Sequence, residues 1–330
     1  MKIRLFLLLV SMLTLSCSKD NDDQNSNQDQ DNETEYKERM REFVIGISKF
    51  AKSQNAQFIV IPQNGIEIVS ANGDASGENH SAYLNAIDGN GQEDLFFGYN
   101  DDDQATPAAD NQYLRELLDK SKNTGKTILV TDYCSTPSKV TSSYTQNKNA
   151  GYISFAADKR DLTSIPGFPS TIPDENATVV KKLSEIKNFL YLINPSGFST
   201  KTAFINAVTA TNYDLIIMDL YFSDGSSFTA DEINQLRNKV NGGKRLVISY
   251  MSIGEAEDYR YYWQTGWASN KPAWLDAENP AWKGNYKVKY WNKDWQNIIF
   301  GNSGSYTQKV INAGFDGVYL DIIDAFEFYE

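Results

Sequence analysis

Eight short apolar runs recur along this chain, and they constrain its fold more than any other feature. They are FIVIPQ (58–63), DLFFGYN (94–100), TILVTDY (127–133), GYISFAA (151–157), FLYLIN (189–194), DLIIMDL (214–220), RLVISYMS (245–252) and GVYLDII (317–323). Runs without polar alternation read as strands covered on both faces, the mark of a parallel sheet. Helical patterns separate several of them. NQYLRELLDKSKNTGK places Leu114, Leu117 and Leu118 on one face and stops at Gly125. TADEINQLRNKVNGGK offers Thr229 as N-cap and a glycine pair as its stop, while STKTAFINAVTATN and SYTQKVINAGFD follow the same pattern. Eight strands alternating with helices predict an α/β chain folded as a (β/α)8 TIM barrel over residues 35–330. A doubly wound open sheet is the alternative, but it calls for a glycine-rich phosphate loop, and neither G-x-G-x-x-G nor G-x-x-x-x-G-K-[ST] occurs. The segment 164–177 holds three of the nine prolines and reads as a linker between two halves of the barrel.

The two ends of the chain are out of the usual order. Ahead of the first strand, EYKERMREFVIGISKFAKSQN (35–55) repeats Met40, Phe43, Val44, Ile47 and Phe50 at helical spacing, with Asn55 as its stop. At the other end, the strand 317–323 is followed by no helix before Glu330. Closing a barrel lays the opening helix just after the closing strand, so the order predicts a circular permutant. Permutation is tolerated where termini are close and exposed. A neighbouring copy could supply the same helix, so the expected state is a monomer or a swapped dimer.

The first residues bear on location. Lys2 and Arg4 precede an apolar run from Leu5, and Cys17 follows Leu15 and Ser16. That predicts a signal peptide over 1–16, too short to span a bilayer, with a lipobox that makes Cys17 the lipidated N-terminus. SKDNDD after it resembles the export tag of bacterial surface lipoproteins, and 17–34 reads as a disordered tether. The expected location is the outer membrane, exposed at the cell surface, with membrane contact only through the lipid. Cys134 is the one other cysteine, so no internal disulfide forms, and His80 is the only histidine, placed in a polar loop. Those counts exclude a histidine-based zinc cluster and leave carboxylates for acid–base work. The net charge of −12 becomes −14 once Lys2 and Arg4 leave with the signal, which argues against a nucleic-acid partner.

In a (β/α)8 barrel the chemistry sits at the C-terminal ends of the strands. Those ends here carry Asn64 and Glu67, Asp132, Asp219, Tyr250, then Glu255, Asp258, Tyr259 and Arg260, and finally Asp321 and Asp324. Each acid taken singly could cap a helix. Taken together they suit glycoside hydrolysis, which needs one carboxyl to protonate the leaving oxygen and another as nucleophile or base. Oxygen-only binding of Mg²⁺ or Ca²⁺ by the same acids is the rival reading, though no cofactor or metal is required. All six tryptophans, Trp291 among them, fall between 263 and 295, interleaved with tyrosines. Planar rings suit the apolar faces of sugars, and equally the local core of a long loop.

VISYMSIGEAEDYRYYW, WLDAENPAWKGNYKVKYW and GFDGVYLDIIDAFE closely resemble glycoside hydrolase family 114, the endo-α-1,4-polygalactosaminidase-like family. The resemblance runs continuously over about 190–330, and the family's later segments look like FIVIPQNGIEI, DLFFGYN and KTILVTDY at this chain's front. It implies a (β/α)8 barrel, circularly permuted here, and hydrolysis of an α-linked, galactosamine-containing polysaccharide. It places the catalytic pair on Asp321 and Glu67, with Asp324 in reserve, and gives Glu255, Asp258, Tyr259 and Arg260 to the pocket. A glycan-binding lipoprotein on a degenerate barrel is the competing expectation.

Overall fold

The computed structural model describes residues 25–330, with side chains from Glu35 onward. The signal segment and Cys17 lie outside the described residues. Helix α1 spans Asn25–Gln54, so it opens earlier than Glu35, within the stretch read as tether.

Eleven strands follow: β1 (Ile59–Pro62), β2 (Gly89–Glu93), β3 (Thr127–Tyr133), β4 (Ile153–Ala157), β5 (Leu190–Tyr191), β6 (Leu215–Asp219), β7 (Leu246–Ser252), β8 (Glu255–Glu257), β9 (Leu275–Glu278), β10 (Asn285–Val288) and β11 (Gly317–Asp321). β1, β11, β7, β6 and β5 form one parallel sheet in that order, and β2, β3 and β4 form a second. The fold is therefore α/β with parallel sheets. The two sheets meet beside β1, where Gln63 bridges Gly91 in parallel and the Asn64 N–H donates to the Gly91 carbonyl at 3.0 Å. On the other flank, Phe155 of β4 lies 5.8 Å from Phe189, the residue before β5. Within the first sheet, Tyr191 of β5 and Tyr319 of β11 meet edge to face at 5.3 Å, both buried.

Seven of the eight apolar runs contain strands at the expected places. The exception is DLFFGYN, which is loop, while the strand is the preceding GNGQE. That strand is buried although it lacks an apolar side chain, because bulk comes from its neighbour. A Cβ on Gly91 would stand 1.9 Å from the Tyr319 hydroxyl, so β11 fills the space that β2 leaves empty. The helix starts hold better than the stops. Ala230–Leu236 starts on a Thr229 capping box with Glu232 but ends well before the glycine pair at 242–243, whereas Ala108–Asn123 ends just short of Gly125 at φ 86°. Segment 164–177 lies in the irregular stretch between β4 and β5.

The long excursion after β7 builds a small antiparallel sheet, β8-β10-β9, that the apolar runs do not signal. Its tryptophans mostly face one another. Trp263, Trp267, Trp274 and Trp295 form a chain of ring contacts at 5.0–5.5 Å, and the buried Trp295 indole donates to the Ile253 carbonyl at 2.8 Å. They are the core of the excursion, so the sugar-face reading does not apply to them.

First and last strands are neighbours: Ile59–Pro62 pairs in parallel with Gly317–Leu320. α1 buries Met40, Phe43, Val44, Ile47 and Ala51. Phe43 and Phe50 both meet Phe300. Near its start, Lys37 pairs with Glu330 at 2.5 Å, and Tyr36 accepts from the Tyr290 hydroxyl at 2.8 Å. Trp291 stands in this clasp, 5.2 Å from Tyr36 and 4.8 Å from Tyr329, with Arg39 over its face. Trp291, expected as a substrate contact, joins α1 to the turn after β11.

Candidate active site

Parallel strands deliver their last residues to one rim, and the rim here gathers Gln63 after β1, Glu93 of β2, Tyr133 of β3, Tyr250 of β7 and Asp321 of β11. Gln63 is buried and central. Its amide nitrogen donates to Asp321 Oδ1 at 2.9 Å and to Glu93 Oε2 at 3.0 Å, while its oxygen accepts from the Tyr191 hydroxyl at 3.0 Å. Sharing one donor holds those two carboxylate oxygens within about 6 Å of each other. Asp321 accepts further from the Tyr250 hydroxyl at 2.7 Å and the Ile322 N–H at 2.8 Å. Glu93 accepts from the Tyr133 hydroxyl at 2.5 Å and the Asn64 amide at 2.9 Å. Asn64 holds φ 61°, and its side-chain oxygen accepts from the Glu93 N–H at 3.0 Å, so it fixes Glu93 at both ends.

Gln63, Tyr133, Tyr191 and Tyr250 are buried, whereas Asp321 and Glu93 keep part of their surface open. The two acids thus form the accessible floor of a sealed polar network. Burial, and then the charge of Glu93, push the Asp321 carboxyl up to about 7. Asp321 is therefore poised to hold a proton near neutrality. Asp94, beside Glu93, is likewise raised to about 7 by burial and by Glu93, against the opposing pull of Arg160. Arg160 holds Asp94 at 2.9 and 3.2 Å and lies 4.1 Å from the Tyr133 ring centre, bracing the phenol that serves Glu93.

A second charged group lies alongside. Arg260 bonds Asp219 at 2.7 Å and Glu257 at 2.5 Å, all three within the protein wall. Burial is the first cause that raises Asp219, and Arg260 is held charged by the two acids around it. Gly254, which starts the turn into β8, packs so close to Ile322 that a Cβ there would meet its carbonyl at 2.2 Å. That contact seats the S-I-G-E-A-E-D-Y-R segment against the residue after Asp321.

The expected site residues divide accordingly. Asn64, Tyr250 and Asp321 share the network, and Asp219 and Arg260 stand in the neighbouring cluster. Glu255 is fully buried; one oxygen accepts from Asn279 at 2.7 Å, and burial first, with Asp324 among the nearby charges, raises its carboxyl. Asp324 sits on the turn Ile323–Phe328 and adds its charge to those acting on Asp321. Asp258 and Tyr259 are exposed. Asp132 does not reach the rim opening: it has no exposed surface and accepts from Phe96 and Phe97 N–H, Ser143 and Asn147. It anchors the loop after β2 and cannot touch a ligand. Glu67 lies on the turn Ile66–Val69, and the hydrogen bonds described above join Asp321 to Glu93. Glu93, Gln63, Tyr191 and Arg160 were not signalled as site residues. Strand-end position would have flagged Glu93 had GNGQE been recognised as the strand. His80, expected to be a solvated loop residue, caps the helix Ser81–Ala86 by accepting from the Tyr83 N–H at 3.2 Å.

Comparison with known proteins adds the chemistry. Residues 187–329 match the model of glycoside-hydrolase family GH114. An uncharacterized protein of Methanocaldococcus jannaschii is 42% identical over 158 residues, which is 47% of this chain and 42% of the relative. An uncharacterized protein of Thermotoga maritima is 41% identical over 122 residues, 37% of this chain and 36% of the relative. A third, from Deinococcus radiodurans, is 41% identical over 159 residues, 48% of this chain and 47% of the relative. In each case the chain spans less than half the length of the curated relative. The matched segment carries Asp219, Tyr250, Glu257, Arg260 and Asp321 together, so these five residues lie in the part of the chain that is similar to glycoside-hydrolase family GH114.

Proposed function

We propose that this protein is a glycoside hydrolase in which Asp321 and Glu93 are the two working carboxyls. The observation that carries this reading is the single Gln63 amide nitrogen donating to both acids. A shared donor supports the short separation of a retaining pair, roughly 5–5.5 Å, over the wider gap of an inverting one. In that chemistry the protonated member gives its proton to the leaving glycosidic oxygen while the other carboxylate attacks the anomeric carbon. The same first group then takes a proton from water, which cleaves the glycosyl ester and restores both acids.

We further infer that the two parallel sheets are arcs of one (β/α)8 barrel with circularly permuted order. The pairing of β1 with β11, the seating of α1 beside the last turn, and a family match confined to 187–329 support it. The substrate we assign is an α-linked polysaccharide, with α-1,4-polygalactosamine as the first to try. Membrane attachment through a lipid on Cys17 and exposure at the cell surface complete the reading.

The test is hydrolysis of α-1,4-polygalactosamine by purified protein. Asp321→Asn and Glu93→Gln should each lower kcat at least a thousandfold with the fold intact. Glu67, the partner implied by the family resemblance, is separated by Glu67→Gln: near-normal turnover there favours Glu93, and loss there with activity in Glu93→Gln reverses the assignment.

A further inference from the structure

Tyr259 is unusual among the tyrosines near the site. Its residue is 63% exposed, yet its hydroxyl donates at 2.5 Å to Glu257, which is only 2% exposed. Glu257 is gripped by Arg260, whose Nε and Nη2 donate to it at 2.5 and 3.1 Å, and Arg260 is tied to Asp219. The Arg260 guanidinium also lies 5.2 Å from the centre of the Tyr259 ring. The ring is thus pinned at its hydroxyl and supported by a cation, leaving exposed ring surface for solvent. An exposed aromatic side chain ordinarily gains little from a fixed pose and loses rotamer freedom to hold it. Here two buried charged groups, Glu257 and Arg260, hold one in place.

The place of this ring matters as much as its rigidity. Arg260 bonds Asp219, Asp219 is the register partner of Tyr250 between β6 and β7, and the Tyr250 hydroxyl donates to Asp321. Tyr259 therefore stands on the cluster that adjoins the proposed cleavage centre. From this geometry we propose that Tyr259 is a fixed stacking platform for a pyranose ring of the bound chain, presenting its open surface to the apolar C–H face of the sugar. This rests on the hydrolase reading for its ligand class, and it deepens that reading by naming a specificity-determining residue outside the carboxyl pair. Fixing a ring before the ligand arrives removes an ordering cost from binding. A tenfold loss of affinity on removing the ring corresponds to about 1.4 kcal/mol.

The experiment separates binding from cleavage. Asp321→Asn protein is titrated with α-1,4-polygalactosamine and with its N-acetylated form, in that background alone and combined with Tyr259→Ala, Tyr259→Phe or Tyr259→Trp. Tyr259→Ala should weaken binding at least tenfold, Tyr259→Trp should stay within threefold, and Tyr259→Phe, which keeps the ring but frees it from Glu257, should fall between. Binding of Tyr259→Ala within twofold of its parent overturns the platform, as does absence of binding to both polymers by the parent. If the parent binds and Tyr259→Ala does not, while unmutated protein cleaves neither polymer, the platform stands and the hydrolase reading falls. Thermal melting of each variant, expected to move little at this exposed position, checks that lost binding is not lost fold.

Discussion

At the scale of the residue, Asp321 ties activity and stability to pH. Its carboxyl is raised to about 7, first by burial and then by the charge of Glu93. In the unfolded chain it titrates near the ordinary aspartate value, so between about 4 and 7 the folded state binds more protons than the unfolded. Stability from this group is then present at low pH and is lost as pH rises through that window. Asp321→Asn removes the ionisation, so the variant should be more stable than the parent at pH 8, by roughly 2–4 kcal/mol, with the gap shrinking toward pH 4. Urea unfolding at the two pH values measures it, and an equal difference at both would contradict the assignment. Activity should fall on the alkaline side with an apparent midpoint near 7, as Asp321 loses its proton. Tyr250 donates to Asp321 and holds its carboxyl lower than it would otherwise stand. Tyr250→Phe should therefore move that alkaline midpoint upward, and a downward shift would show that the phenol does not stabilise the carboxylate.

At the scale of the element, the contrast between β1 and β2 explains what was legible in the sequence. β1, β3, β6, β7 and β11 announce themselves because each is packed on both faces by side chains it supplies itself. β2 reads as a loop because its bulk is supplied by Tyr319 of β11, a contact with no local sequence signature. Missing that strand left Glu93 at its end unsignalled, whereas Asp321 and Tyr250 lie on strands that the apolar runs mark. The tryptophans pose a different problem. A ring that packs a loop and a ring that packs a sugar have the same composition, and only ring-to-ring contacts separate them. Trp291 gives the test: stapling α1 to Tyr329, it should cost about 2 kcal/mol of stability when replaced by alanine and leave KM within twofold. A large change in KM at unchanged stability would return it to the substrate. On α1 itself Ile47 has no exposed surface, so Ile47→Ala should cost about 2–5 kcal/mol in denaturant unfolding, far more than removal of a decorative helix contact would.

At the scale of the whole molecule, the turn Ile323–Phe328 follows Asp321 and lies against α1, so the seam between that turn and the helix falls beside the proposed site. Packing and the Lys37–Glu330 pair hold the opening helix against that turn, with no peptide bond between them. Side-chain contacts alone make this seam the place where local opening should be cheapest. The permuted-barrel reading therefore makes a prediction about connectivity. Joining Glu330 to Glu35 through a short glycine–serine linker, and reopening the chain within 164–177, gives a molecule with the same strand neighbours and a covalent seam. That variant should fold, keep the activity of the parent within a few fold, and unfold at higher denaturant, because the linker removes part of the freedom the separated helix gains on detaching. Hydrogen exchange would localise the effect, with slower exchange in α1 and in Ile323–Phe328 and little change in β6 and β7. Failure of the relinked chain to fold, with the reopened but unlinked chain also unfolded, would mean that 164–177 cannot be cut and moves the opening to another exposed loop. A folded relinked chain with α1 no better protected would mean that the helix is not the partner of β11, and the permuted order would fall.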